Sequence, residues 1–138
     1  GQGDVAMVLP MSLGLEAELA ALEPDERKEF LAELDLDEEG SRRVIKAAYQ
    51  LLGLITFFSA NEKQTTAWPV PRGTKAPEAA GTIHTDFQKG FIRAEAIGFE
   101  PFVELGSMKT ARDAGAVRSE GKDYVVQDGD ILLFRFNL

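Results

Sequence analysis

The spacing of hydrophobic residues changes character near the middle of the chain. Up to Leu52 it is helical, and past Gly53 it is mostly that of strands. Val5 to Pro10 is a short apolar run that predicts a buried strand. Leu15, Leu19 and Leu22 recur at helical spacing and predict a helix over roughly residues 14–22. A second helix restarts at Glu23-Pro24-Asp25-Glu26, where proline's missing N–H is harmless and the acids favour the helix dipole. Phe30, Leu31 and Leu34 form its stripe, and Leu36 and Asp37 break it. Ser41 is the predicted N-cap of a third helix with the stripe Val44, Ile45, Ala48, Leu51 and Leu52, closed by Gly53.

Beyond Gly53, Leu54 to Phe58 and Gln64 to Trp68 are rich in β-formers, and the polar Asn61-Glu-Lys63 between them suits a hairpin loop. Val70 to Thr74 reads as a turn or loop. Pro77 opens a helix on which Ala80, Ile83 and Phe87 share one face. Gly81 inside it costs about 1 kcal/mol relative to alanine, which predicts a close neighbour there. Gly90 ends that helix and Phe91 to Ile97 is a strand. Glu100 to Leu105 is a short helical turn, and Ser107 caps a helix that ends at Gly115. Val117 to Ser119, Tyr124 to Val126 and Ile131 to Leu138 read as strands. In the last, Leu132, Phe134, Phe136 and Leu138 alternate with Leu133, Arg135 and Asn137, so one face is buried. The expected core joins Ala80, Ile83 and Phe87 to Phe57, Phe91, Val125 and Phe134.

Composition is that of an ordinary globular protein, and the absence of cysteine excludes disulfides and thiolate metal sites. No apolar run reaches membrane-span length and no signal peptide is visible, so a cytoplasmic protein without a membrane partner is expected. The first residue is glycine rather than methionine, and the chain is read as a fragment of a longer protein. The net charge of −8 is uneven: residues 1–52 hold 12 acids and 5 bases, residues 53–138 hold 11 acids and 10 bases. The acidic front repels phosphate, whereas the nearly neutral back can carry a local basic patch.

Little converges on catalysis. His84 is the single histidine, and Asp86 two residues on does not face it on a helix, so a capping role is favoured over a Ser-His-Asp or zinc arrangement. Asp128 and Asp130 flank Gly129 and are read as a turn rather than a cation site or acid–base pair. Asp35 to Glu39 is a solvated helix end without EF-hand spacing. Pro71-Arg-Gly-Thr-Lys75 lacks the GxxxxGK[ST] spacing of a phosphate-binding loop, which occurs nowhere in the chain. Arg72, Lys75, Lys89 and Arg93 bracket one helix and interleave with Trp68, Phe87 and Phe91, a composition shared by single-stranded nucleic-acid surfaces and by ordinary sheet cores with surface bases. They are the candidate RNA or ribosome contacts.

Two segments are the most specific, Gly81-Thr-Ile-His-Thr-Asp-Phe-Gln-Lys-Gly-Phe-Ile-Arg-Ala-Glu95 and Gly121-Lys-Asp-Tyr-Val-Val-Gln-Asp-Gly-Asp130. With Leu51 to Phe58, Ala67-Trp68 and Gly73 to Gly81, in order along the chain, they resemble the YchF/Obg-like ATPase family, P-loop NTPases that end in a TGS domain. The resemblance implies an α+β fold. A β-grasp (ubiquitin-like) TGS domain over 53–136 would be preceded by connecting helices over 32–52. Residues 1–31 would be a remnant of the α/β P-loop nucleotide-binding domain, with its final strand at Val8 to Met11. Ser12 then falls where the family places its last guanine-nucleotide motif, although Leu13 and Gly14 depart from that pattern.

For the parent protein the resemblance implies ATP or GTP with magnesium, hydrolase activity, ribosome or ribosomal RNA as partner, and a part in translation and stress regulation. No cofactor or metal is expected in this chain itself. A freestanding β-grasp module that binds a protein through its sheet is the alternative, and an enzyme in its own right the least favoured. The isolated chain is therefore expected not to hydrolyse ATP or GTP, because the groups that position phosphates and magnesium are not in it. Magnesium-dependent phosphate release by the purified chain, above that of a mock preparation, would sink this reading.

Overall fold

A computed structural model describes residues 7–36, 39–60 and 64–137. The chain divides into two compact units, Gly1–Leu52 and Gly53–Leu138.

The first unit holds three helices, α1 (Leu13–Ala21), α2 (Pro24–Glu33) and α3 (Gly40–Leu51). Ser12 caps α1, its hydroxyl accepting from the Leu15 amide at 3.4 Å. The Glu26 carboxylate reaches back to the Glu23 amide at the start of α2. A boundary at 31/32 falls inside α2, whose ten residues continue as one helix. Two expectations change here. Residues 7–12 form no strand, and Val8 is 89% exposed, because a strand exists only through a paired neighbour and the described residues of the first unit include no other strand; Val5 and Ala6 lie outside the described residues. The cap of α3 is Glu39 rather than Ser41, since the Glu16 carboxylate accepts from the Gly40 amide at 2.9 Å and so supplies the acceptor expected of the serine. The predicted stripe of α3 is exposed along Val44, Ile45, Leu51 and Leu52, while Ala47 is buried. Of the acidic run 35–39, Asp37 and Glu38 lie outside the described residues.

The second unit is a mixed α+β fold on a five-stranded sheet. Its strands are β1 (Leu54–Ala60), β2 (Thr65–Pro71), β3 (Phe91–Ile97), β4 (Arg118–Glu120) and β5 (Ile131–Phe136), in the order β2-β1-β5-β3-β4. β1 runs parallel to β5 and antiparallel to β2, and β3 is antiparallel to both β5 and β4. The hairpin loop expected at Asn61–Lys63 and the last residue, Leu138, lie outside the described residues. Val70 and Pro71 extend β2 instead of turning, with Pro69 opposite Thr56 and Pro71 opposite Leu54. Prolines are tolerated there because β2 is an edge strand and part of its N–H row has no partner to lose.

Adjacent residues of β3 and β5 enter different clusters, so the sheet is covered on two faces. One face carries Ile55, Phe57, Val70, Phe91, Ala94, Ala96, Leu132 and Phe134. Ala76, Ala79 and Ala80 of α4 (Ala76–Ile83) pack on it, together with Val126, and Ile83 and Phe87 lie against it partly buried. The other face brings Ala60, Ile97 and Ile131 to Ala111. Those residues meet α6 (Phe99–Leu105) and α7 (Met108–Asp113), α7 being capped by Ser107 and followed by Gly115 at φ +70°.

The single helix expected through Phe87 is two helices. His84 adopts extended backbone angles, ends α4 and caps α5 (Thr85–Lys89) by accepting from the Asp86 amide at 3.2 Å. The break keeps Phe87 on the core side, stacked on Phe136 with centroids 4.1 Å apart. Tyr124 to Val126 is not a strand. Its backbone pairs with the segment before α4, through Ala76 N–H to Tyr124 O at 2.9 Å and Val126 N–H to Thr74 O at 3.0 Å. Val126 is therefore the buried residue and Val125, expected in the core, is exposed.

Two glycines test this packing. A Cβ on Gly81 would meet the Gln88 side chain, which can yield at its far end, whereas one on Gly90 would overlap the Asn137 carbonyl, which also accepts no displacement while Asn137 N–H bonds Gly90 O at 2.9 Å. Gly90→Ala should cost about 1–3 kcal/mol as an overpacking change. Gly81→Ala should cost less, since the gain in helix propensity of about 1 kcal/mol opposes the clash. Urea midpoints check both, and equal shifts would mean that the Asn137 contact is not limiting.

Candidate nucleic-acid interface

The four predicted bases do not lie on one surface. Arg72 sits in the exposed turn after β2, its amide bonded to Gly53 O at 2.7 Å. Lys75 precedes α4, and its ammonium donates to Asp123 at 2.9 Å, a bond that raises its pKa from the ordinary lysine value. Lys89 ends α5 and is exposed. Arg93 belongs to the opposite face of the sheet. Ser12 remains the cap of α1, beside a shallow hollow that Pro10, Glu16, Leu36 and Arg43 also line.

Arg93 has company that sequence spacing did not reveal. It stands directly across from Arg135, and cross-strand partners share a face. Two residues on, Glu95 shares that face, and Arg112 of α7 reaches it from outside the sheet. The Glu95 carboxylate is buried. Its Oε1 accepts from Arg135 Nε at 2.9 Å, and Arg93 Nη2 lies 3.8 Å from the same oxygen. Its Oε2 accepts from Arg112 Nε at 2.8 Å, and Arg112 Nη2 lies 2.7 Å from the same oxygen. Burial alone would raise this carboxyl's pKa, but the hydrogen bonds and charges of Arg135 and Arg112 outweigh it and hold the group below the usual glutamate value. Glu95 is thus a standing anion that fixes its neighbours.

One carboxylate cannot neutralise three guanidiniums. Each arginine has five N–H donors, so donors are left over on Arg93, Arg112 and Arg135, whose side chains are 53, 39 and 47% exposed. The face carries a local surplus of positive charge beside the exposed Lys109. Guanidiniums held in place by a buried partner are suited to phosphate, because their planar donors match its oxygens. No residue here forms a nucleophile–base pair. Among the described residues no group of three or more His, Asp or Glu is placed to hold a metal ion.

Arg118 is different. It lies opposite Ala96 and so on the other face. Its guanidinium bonds Glu120 at 3.1 Å and Tyr124 Oη at 3.1 Å, with Asp130 at 3.7 Å. Tyr124 donates to Asp130 at 2.6 Å, and Asp130 also accepts from the Gln127 amide. Asp128 accepts from the Thr56 amide at 2.8 Å, so the paired acids hold a turn against β1 as their spacing predicted, and Asp130 is in addition buried. These contacts tie Arg118 into the fold.

Sequence spacing located Arg93 because it follows Lys89 closely. Arg112 and Arg135 come from a distant helix and strand, and only the register of β3 against β5 brings them to Glu95. The available signal was a charged pair, Glu95 and Arg135, at positions that alternate with the buried apolar residues of two strands.

Comparison with known proteins places this geometry in context. The family YchF-GTPase_C, described as "Protein of unknown function (DUF933)", matches residues 54–137. The chain is 50% identical over 133 residues to a "Ribosome-binding ATPase YchF" of Escherichia coli O157:H7, covering 96% of this chain and 37% of that protein. It is 45% identical over 132 residues to "Obg-like ATPase 1" of Homo sapiens, covering 96% of this chain and 33% of that protein. It is similar to the structure of the Schizosaccharomyces pombe YchF GTPase, with TM-score 0.81 and 33% identity, over 93% of this chain and 34% of the other. The chain thus spans just over a third of the length of the first of these relatives.

Tyr124 offers a direct test of the Arg118 network. Burial first, and then the bond to Asp130, push its phenol up to about 12 from an ordinary value of 10. A raised folded value means that the contribution to stability is complete below about pH 10, where the unfolded phenol begins to ionise, and is lost as pH rises through about 12. In a Tyr49→Phe chain, where Tyr124 is the one remaining tyrosine, ultraviolet phenolate absorbance should give a midpoint about two units above that of free tyrosine. A midpoint near 10 would dissolve the network as drawn.

Proposed function

The chain belongs to the YchF-GTPase_C family, and from that premise we propose that it is the C-terminal, ribosome-contacting part of an Obg-like ATP- or GTP-binding protein. In this reading residues 53–136 are a TGS domain of β-grasp type. The sheet order β2-β1-β5-β3-β4, with its parallel β1/β5 pair and α4 laid across one face, supports that assignment. Residues 32–52 connect it to the nucleotide-binding domain, of which residues 1–31 are the end, and Ser12 belongs to the loop that sits beside the nucleotide base. The parent protein is cytoplasmic, hydrolyses its nucleotide with magnesium, and acts in translation and stress regulation. Among the described residues no helix is long and apolar enough to cross a membrane.

One observation carries the choice of surface. Arg93, Arg112 and Arg135 are held around the single carboxylate of Glu95, with donors to spare on partly exposed side chains. The relative from Escherichia coli O157:H7 bears the name of a ribosome-binding protein, and ribosomal RNA presents phosphate on its surface. The arginine face is the surface that contacts it. Arg72, Lys75 and Lys89 lie on the other side of the sheet, where Lys75 is already engaged by Asp123.

The test compares two variants of the parent protein in ribosome co-sedimentation at two salt concentrations. Arg93→Gln with Lys109→Gln spares the two close partners of Glu95 and should fold normally. It should weaken binding and reduce the slope of log affinity against log salt by about one to two, as each lost phosphate contact removes roughly 0.7–0.9. Arg72→Gln with Lys89→Gln should leave both unchanged. The reverse pattern would move the contact to the α4–α5 side, and no change in either would remove it from this domain.

A further inference from the structure

The arginine face runs into a cleft of about 680 Å³. Its volume falls in the range of ordinary ligand sites, about 300–1,000 Å³. Its lining includes three cations, Lys109, Arg112 and Arg135, and two large apolar side chains, Phe102 and Met108. All of them belong to the second unit. Phe102 is only partly buried although it packs beside Ile97, Ile131 and Ala111, so part of its surface remains available. The guanidiniums of Arg112 and Arg135 are immobilised by Glu95. Little ordering is left to do when an anion arrives, and preorganised sites lose less on binding.

A cleft lined by an aromatic, a thioether and fixed cations matches a ligand that has a flat apolar part and a phosphate. A base in a duplex cannot enter, because its faces are stacked and its edges paired. An unpaired base can lie on Phe102 while its phosphate meets Lys109 and the spare donors of Arg112 and Arg135. From this we infer that the cleft seats one unpaired nucleotide of a single-stranded RNA segment. The inference rests on reading the arginine face as a phosphate-contacting surface, and it adds that the RNA touched there is single-stranded. Since the chain has no phosphate-binding loop, nucleotide bound by it is bound at a place other than that loop.

The purified 138-residue chain is the material for the test. Fluorescence anisotropy would compare a labelled single-stranded RNA hexamer with the same sequence in duplex form, and a nucleoside monophosphate would compete for the hexamer. The single strand should bind at least about tenfold more tightly than the duplex, since each stacked base contributes a large share of such affinity. Phe102→Leu keeps apolar volume but removes the ring, and should weaken single-strand binding by about five- to tenfold without changing its salt slope. Lys109→Gln should weaken it and lower the salt slope by about 0.7. Displacement of the hexamer by the monophosphate would support the same seat and show that a free nucleotide also fills it.

Should Phe102→Leu fail to fold, amide shift mapping on the unaltered chain decides instead. Perturbations on adding the hexamer should centre on Phe102, Met108 to Arg112 and Arg135, and perturbations centred elsewhere would overturn the inference. It would also fall if duplex and single strand bound alike and Phe102→Leu were harmless. If ribosome binding still answered to Arg93→Gln with Lys109→Gln, the arginine face would stand as a duplex or backbone contact without a nucleotide seat. If it did not answer, both readings would fail together.

Discussion

The second unit depends on the strand β5 being paired on both sides and covered on both faces. It lies between a parallel β1 and an antiparallel β3, and its residues alternate between two unlike environments. Leu132 and Phe134 go to the alanine-rich side of α4, while Ile131 turns to α6 and α7 and Arg135 to the arginine face. A slip of one residue in this register would bury Arg135 against Phe57 and expose Phe134. The same pairing that makes the core therefore also makes the basic face. Phe57 of β1 and Phe134 of β5 meet edge to face at 6.0 Å, and the small side chains of Ala76, Ala79 and Ala80 pack in the same cluster.

Glu95 converts that register into chemistry. A buried carboxylate is costly unless it is paired, and removing one partner of such a pair leaves the other exposed to the full penalty. Here the pairing comes from separate elements, so β3, β5 and α7 are tied together at one point. The sign of the linkage is that of a depressed acid: the contribution is present above the unfolded glutamate value and is lost as pH falls through the folded one. The surrounding guanidiniums are partly exposed, which screens the interaction and limits its worth in stability. Its larger effect is positional. Arg93 and Arg135, like charges set directly opposite one another, would repel without the anion two residues along the strand.

What was legible in the sequence is what local chemistry decides. β3 over Phe91–Ile97 followed from the helix stop at Gly90, and α7 from Ser107 ahead and Gly115 behind. Gly81 signalled a close neighbour by its own cost, and the neighbour is Gln88. His84 signalled a cap by lacking any partner for catalysis, and it caps α5. Several misreadings fall where a distant group overrides the local signal. Ser41 looked like a cap, but Glu16, far earlier in the chain, had already taken the Gly40 amide. Tyr124 to Val126 looked like a strand by composition, but its backbone partners are Thr74 and Ala76 rather than the sheet. Val70 and Pro71 looked like a turn or loop, and an edge strand accommodates both. The arginine face was legible only at Arg93, because its other members meet through register and through the packing of α7.

Local charge settles how a chain of net −8 can present a basic face at all. At physiological ionic strength the screening length is about 8 Å, so a charge more than a few side chains away contributes little to a contact. What counts is the immediate surplus, and around Glu95 three guanidiniums face one carboxylate. The acids of the chain are concentrated before Leu52, and those of the sheet are consumed internally, Asp130 by Tyr124 and Gln127, Asp128 by Thr56, Glu120 by Arg118. Global acidity then acts as a selector rather than an obstacle. It disfavours polyanions over most of the surface, while around Glu95 the cations are fixed and the acid among them is already spent.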